Sequence, residues 1–497
     1  MQMTLGLIRE RKNPPDQRAV LSPSQCTDLL HHYPSLRILV EPSEIRAFAN
    51  QDYVDAGCQL TDQLSDADWL LGVKEVPVDH LHPGKTHFFF SHTYKRQPSN
   101  RDLLKACVDK GVRLIDWELL KHNHDRVIGF GVYAGLVGAY EALRGYGMKR
   151  KEFDLSPALK LGTVSELKRS LQATNTSLRA AITGSGRVAS GARDMLLAAG
   201  LKEVSPEAYL SNEQAACFTV LPASAYVQRS SDGGFNKGEF YQRPDLYRNN
   251  FLRFARCTDL YLACHYWKDG SPPFFTAEDA CHPNFNIQFV GDISCDIDGP
   301  VACTLRPSTA DSPFYGWNPQ KHQETDLLAK GSIGVLAVDN LPSQVPMDAT
   351  EGFGKAFIEQ VLKPHLRGEG EDMLWQASEC ANGSLTNKFK HLAGYMQAMD
   401  LQDYPVSQWE SLILQSIQGV RDSLETLANQ GDEPTFRNTV LAMEQMGHVL
   451  DQHTSVLFNA NSACTTPEIQ RITQAVSAPL SELGNDIMSH PKLFHLV

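Results

Sequence analysis

The chain has 497 residues, more than one ordinary core can organise, so two or three domains are expected. Its composition, 42% hydrophobic and 21% charged, describes a folded globular protein and excludes a disordered one. The formal net charge of -12, with no basic stripe, argues against a nucleic-acid partner.

Met1 to Asn13 carries Arg9, Glu10, Arg11 and Lys12 and lacks the apolar stretch of a signal peptide. Apolar runs elsewhere are too short and broken to span a bilayer, so no membrane partner is expected. The 11 cysteines follow no CxxC spacing, and an odd count without a secretion signal points to reduced thiols in a cytoplasm. No His, Cys and carboxylate cluster has metal-ligand spacing, so no metal is expected.

In chain order, Thr4 to Ile8 reads as a strand and Ser22 as the cap of a helix that turns Leu29 and Leu30 inward. Leu36 to Val40, Trp69 to Val73, Thr86 to Phe90 and Val112 to Ile115 are further compact apolar strands. Strands alternating with helices at this spacing predict an open, mostly parallel α/β sheet, in which ligands lie at the carboxyl ends of strands. Lys74 and His92 both fall just after strand candidates. Gly131 to Leu143 is rich in small residues and predicts a tightly packed helix at the crossing between domains. A second α/β unit starts near Leu178, with Leu260 to Ala263 and Ile287 to Val290 as later strands of the same sheet; the apolar run Ile333 to Val338 follows. Phe353 to Leu366 has helical spacing and returns the chain to the first domain. Beyond about residue 400 the pattern turns helical: Leu412, Ile413, Ile417, Val420, Leu424 and Leu427 fit one face. Gly431 to Pro434 is a break, and Phe436 to Leu457 suggests a second helix.

The central motif is Ile182-Thr183-Gly184-Ser185-Gly186-Arg187-Val188-Ala189-Ser190-Gly191. It follows a strand candidate and opens a helix, the context of a dinucleotide fingerprint. The first glycine permits the turn, the second lets the backbone approach a pyrophosphate, and Ala189 lets helix and strand pack closely. Helix N–H groups then face the phosphates. Gly184, Ser185, Gly186, Arg187, Val188 and Gly191 are the cofactor-binding candidates. The next apolar strand, Cys217 to Leu221, ends on Pro222 where a ribose-binding carboxylate is expected, and Arg229 follows nearby, a possible partner of a 2′-phosphate. NAD and NADP both remain open.

Several segments together resemble the saccharopine dehydrogenase (lysine-forming) and lysine–ketoglutarate reductase group of the alanine dehydrogenase–transhydrogenase superfamily. They are Leu7-Ile8-Arg9-Glu10 with Asp16 to Pro23, Gly72-Val73-Lys74-Glu75-Val76-Pro77, Phe88 to Thr93, Leu114 to Glu118, Phe130 to Gly135, the glycine motif, Asp292-Ile293-Ser294 and Val338 to Pro342. They span about the first 400 residues in the family's order. The resemblance implies two Rossmann-like open-sheet domains with an active site in the cleft between them. Residues 1–132 with 333–398 would form the substrate domain, 133–332 the dinucleotide domain and 401–497 a separate helical fragment. The activity it implies is oxidation of a secondary amine, saccharopine, to lysine and 2-oxoglutarate, with a small amino-acid or keto-acid substrate and NAD or NADP. An alanine dehydrogenase or other opine or imine reductase, and an inactive nucleotide-binding regulatory protein, are the alternatives.

By the same resemblance, Lys74 is the base and His92 activates water. Arg18 and Arg126 would hold substrate carboxylates. Glu75 lies beside the base and would raise its pKa; Glu118 would tune it; Asp339 would stand at the nicotinamide end. Phe130 and Tyr133 read as packing.

The tail resembles something else. Pro434 to Val440, Val456 to Asn459 and His490 to Phe494 are similar to the N-terminal helices of thimet-oligopeptidase-like zinc peptidases. Those enzymes need HExxH, and no His-Glu pair occurs in this chain, so a fused opening fragment without peptidase activity is expected.

Overall fold

The computed structural model describes residues 3–397, apart from 124, 173, 175–176, 212–214, 269 and 298, together with 406–429 and 467–489. Two eight-stranded sheets organise it. In the first, the spatial order is Ser384–Leu385, Ser378–Ala381, Arg113–Asp116, Thr86–Phe89, Trp69–Leu71, Met3–Leu7, Leu36–Val40, Gln59–Leu60. All neighbours are parallel except at the Ser378–Ala381 end, where a late strand and its hairpin partner join antiparallel. The helix Pro23–His32 starts where its cap demands: the Gln25 N–H donates to Ser22 Oγ and Gln25 Oε1 accepts the Ser22 N–H.

The second sheet runs Lys202–Glu203, Cys217–Leu221, Arg179–Thr183, Leu260–Ala263, Phe289–Asp292, Ile333–Leu336, Phe314–Asn318, Gln323–Thr325. It is parallel as far as Ile333–Leu336 and antiparallel beyond. Strand alternation divides its central members between two cores: Ala180 and Ile182 face one, Ala181 the other.

The helix Gly131–Arg150 crosses the helix Arg187–Ala198 at backbone contact. A Cβ at Gly135 would lie 1.9 Å from the Val188 carbonyl oxygen, and one at Gly191 2.0 Å from that of Val132. Gly191 is therefore a packing residue of this crossing, which corrects its assignment to the phosphate loop.

Ile333–Leu336 also departs from expectation. It pairs with Phe289–Asp292 inside the second sheet, so residue 333 does not begin the return to the first domain. Leu341 and Val345 still belong to a second-sheet core, whereas Phe353 and Phe357, on the helix Pro346–Phe357, enter the first. The strand belongs to the second sheet, and the chain leaves that sheet after it.

Among the described tail residues, helices Val406–Asn429 and Pro467–Ser489 bury Trp409, Ile413, Ile417, Val420, Ile472, Val476 and Leu483, none of which belongs to the three main cores. The break at Gly431, the helix expected over 436–457 and the peptidase-like segments lie outside the described residues. Among the described residues no helix is long and apolar enough to cross a membrane.

Candidate active site in the interlobe cleft

A cleft of about 900 Å³ is lined from the first lobe by Arg18, Lys74, His92, Glu118 and Arg126, and from the second by Gly184 to Val188 and Asp339. Most of the expected site residues thus meet in one place. Glu75 and Gly191 are not in its lining.

Lys74 follows the strand Trp69–Leu71, and its position is set from below. Glu10 accepts the backbone N–H of Val73 at 2.7 Å and of Lys74 at 2.8 Å. Burial pushes Glu10 up to about 7 despite these bonds. This role of Glu10 has no signature in the sequence, because a carboxylate set beneath a strand end carries no local pattern. Burial, with Arg18 nearby, lowers the Lys74 pKa, and among the described residues its ammonium has no ion-pair partner. The acidic neighbour in sequence is engaged elsewhere: Glu75 takes Lys12 at 2.7 Å and His92 Nδ1 at 3.2 Å. Burial opposes ionisation of Glu75, yet the bonds from His92 and Lys12 prevail and bring it to about 2.

His92 sits at φ +55°, in the left-handed region, after the strand Thr86–Phe89. Asp116 Oδ2 accepts the backbone N–H groups of Ser91 at 2.8 Å and His92 at 3.0 Å. An ionised Glu75 at Nδ1 selects the tautomer with hydrogen there and leaves Nε2 as the acceptor.

Arg18 is 3% exposed and already held. Its Nε and Nη2 donate to Asp16 at 2.9 and 2.5 Å, Nη2 also reaches Asn340 at 3.0 Å, and the guanidinium lies 4.2 Å over the Phe130 ring. Nη1 makes no hydrogen bond within the described protein. Arg126 is paired with Glu118 at 2.9 Å. Glu118 also takes Lys95 at 2.6 Å and the Tyr94 hydroxyl. Glu118 thus holds Arg126 at the cleft wall.

On the second lobe, Gly184 has φ +102°, and a Cβ there would meet the Cys264 carbonyl oxygen at 2.5 Å. Gly186 differs: its Cβ would meet nothing within 4 Å. The packing of the protein itself does not require glycine at 186. The Gly184 N–H donates to the Leu221 carbonyl at 2.9 Å, so the end of the Cys217–Leu221 strand is flush with the glycine turn. Pro222, Ala223 and Ser224 line the cleft there, with Lys237. Arg229 is not in the lining; it is bound to Glu239 and Asp232, each at 2.8 Å. His265, unforeseen, lines the cleft beside Gly184: Nδ1 is 2.9 Å from Thr183 Oγ1, Nε2 is buried without a partner, and burial lowers it to about 3. Among the described residues no group of three His, Cys, Asp or Glu is placed to hold a metal ion.

Residues 6–137 match the family model of the alanine dehydrogenase/PNT N-terminal domain. The chain is 28% identical over 443 residues to the mitochondrial alpha-aminoadipic semialdehyde synthase of Bos taurus, covering 78% of this chain and 47% of that protein. It is 24% identical over 387 residues to the NAD(+), L-lysine-forming saccharopine dehydrogenase of Emericella nidulans, covering 75% of this chain and 94% of the relative. The chain spans about half the length of the semialdehyde synthases it matches. A solved L-alanine dehydrogenase superposes with a TM-score of 0.53 at 18% identity, covering 77% of this chain and 97% of that one. The chain is a homologue of these saccharopine dehydrogenases and semialdehyde synthases, on an alanine dehydrogenase-like fold of two Rossmann-like domains.

Proposed function

We propose that the chain is a pyridine-nucleotide-dependent oxidoreductase that converts saccharopine, with water, to lysine and 2-oxoglutarate, reversibly. The observation that carries this reading is the meeting of Lys74 and His92 with the Gly184–Val188 turn in one cleft. The residues fit a dinucleotide: Gly186 leaves the space a Cβ would fill, and the N-terminus of the helix Arg187–Ala198 follows directly. Gly184 to Val188 would hold the pyrophosphate and Asp339 would stand at the nicotinamide end. When bound, the nicotinamide accepts a hydride equivalent from the substrate carbon.

The protein supplies the proton transfers. A secondary ammonium cannot be oxidised until it loses a proton, and Lys74, its pKa lowered by burial, takes that proton in its neutral form. The resulting imine must gain water. His92 Nε2, freed as acceptor by Glu75 at Nδ1, takes the water's proton. Collapse of the carbinolamine then cleaves the C–N bond: Lys74 returns its proton to the departing amine, the carbinolamine hydroxyl gives up its proton to that amine as the carbonyl forms, and His92 releases the first water proton to solvent. Arg18 Nη1 and Arg126 would receive the substrate's carboxylates.

We further propose NADP(H) as the preferred nucleotide. No carboxylate follows the Cys217–Leu221 strand, and Lys237, exposed and with no ion-pair partner among the described residues, lines the same cleft.

The test mixes the full chain with NAD or NADP and saccharopine, or with the reduced nucleotide, lysine and 2-oxoglutarate, and follows reduced-nicotinamide absorbance. Turnover in both directions is expected. Turnover with alanine alone selects an alanine dehydrogenase reaction instead, and nucleotide binding without any turnover selects a regulatory protein.

A further inference from the structure

The strand Ser378–Ala381 comes from far along the chain and lies against Arg113–Asp116 in the first sheet. It carries Glu379, which is 0% exposed. Both carboxyl oxygens meet hydroxyls of the segment that holds His92. Ser91 Oγ is 2.8 Å from Oε1, and Thr93 Oγ1 is 2.8 Å from each oxygen. The two hydroxyl oxygens are 2.7 Å apart, and Ser91 Oγ is also 2.7 Å from Asp116 Oδ2. That Asp116 oxygen is the one that accepts the Ser91 and His92 backbone N–H groups.

Proton counting constrains this cluster. Each hydroxyl brings one proton, so with both carboxyls ionised the two hydroxyls cannot satisfy these contacts. One proton on Glu379 gives three of the four contacts a hydrogen and leaves only Ser91 Oγ to Glu379 Oε1 without one. Glu379 then donates to Thr93, Thr93 to Ser91, and Ser91 to Asp116. Burial and the neighbouring Asp116 push Glu379 up to about 8, in accord with this order. Cys107 and Tyr395, whose environments include Glu379, are both raised and so neutral below that pH.

We propose that Glu379 positions His92, acting through the Thr93 and Ser91 hydroxyls on the Asp116 carboxylate that holds the His92 backbone in its left-handed conformation. A residue other than glycine keeps that conformation only where its surroundings over-determine it. The functional consequence rests on the reading of His92 as the group that activates water.

Two variants of the full chain test the proposal. Glu379→Gln keeps the shape and a donor. It should hold kcat for saccharopine within about twofold near neutral pH and remove the component of alkaline loss centred near pH 8. Glu379→Ala should lower kcat about 10- to 100-fold while leaving the nucleotide Kd unchanged. A second readout needs no turnover: carbethoxylation of His92 by diethyl pyrocarbonate, followed by peptide mass spectrometry. It should proceed at the wild-type rate in Glu379→Gln and differ by at least about threefold in Glu379→Ala. Wild-type kcat and labelling in Glu379→Ala overturn the proposal. Should that variant not fold, an unchanged alkaline loss in Glu379→Gln overturns it. A wild-type chain inert towards saccharopine refutes the function alone, and the labelling comparison then decides the positioning role.

Discussion

His92 Nδ1 and Glu75 Oε1 lie 3.2 Å apart, joining the two short motifs of the first lobe into one unit. Glu75 orients the ring and stabilises its charge, while Lys12 at 2.7 Å offsets the carboxylate. Glu75→Gln should lower kcat about 10- to 100-fold, because the ring loses the carboxylate that fixes its orientation at Nδ1. Folded Glu75 titrates near 2 against an ordinary 4.5, so its contribution to stability is present above about pH 4.5 and is lost as pH falls towards 2. Thermal unfolding across that interval should show a shallower pH dependence in the Gln variant; an identical slope would refute the ion pair.

The glycines of the central motif divide into two kinds. Gly191→Ala places a Cβ 2.0 Å from the Val132 carbonyl and should destabilise the fold by about 1–3 kcal/mol or more, read as a lowered Tm. Gly186→Ala meets nothing within 4 Å of its Cβ, so Tm without ligand should be unchanged. Its nucleotide Kd should rise at least about tenfold, or 1.4 kcal/mol. Equal losses of Tm in both variants would contradict the distinction.

Lys237→Glu tests the proposed nucleotide preference. It should weaken NADP binding about 10- to 100-fold, the range of one charge-assisted hydrogen bond, and leave NAD binding within a factor of about two. Fluorescence titration with both reduced nucleotides measures this, and an equal loss for both would remove Lys237 from the 2′-phosphate.

Deleting residues 401–497 should leave kcat and KM unchanged. The two described tail helices bury residues outside the three main cores, and none of them lines the cleft. A folded truncation without activity would show that the tail supports the site.

The alternation of strands and helices and the glycine turn were legible because each rests on local chemistry: apolar runs, caps, and a turn that only glycine accommodates. What local pattern lacked was an address. Ile333–Leu336 reads as a strand, but nothing in four apolar residues says which sheet receives it. Glu118 reads as an acid near the base until Lys95, Arg126 and Tyr94 are seen around it. Glu379 sits in Ser-Glu-Cys-Ala, a strand with no alternating signal, and its partners lie nearly 300 residues earlier, 288 to Ser91 and 286 to Thr93. The roles of Glu10 and His265 are hidden in the sequence for the same reason: their meaning comes from what packs against them.

The most direct test of the central claim is the Lys74→Met variant, assayed for saccharopine oxidation and for nucleotide binding in the same preparation. Loss of about 100- to 10,000-fold in kcat, with the nucleotide Kd unchanged, is the predicted outcome for a group that removes the amine proton. Turnover near the wild-type rate, or parallel loss of turnover and nucleotide affinity, would contradict it.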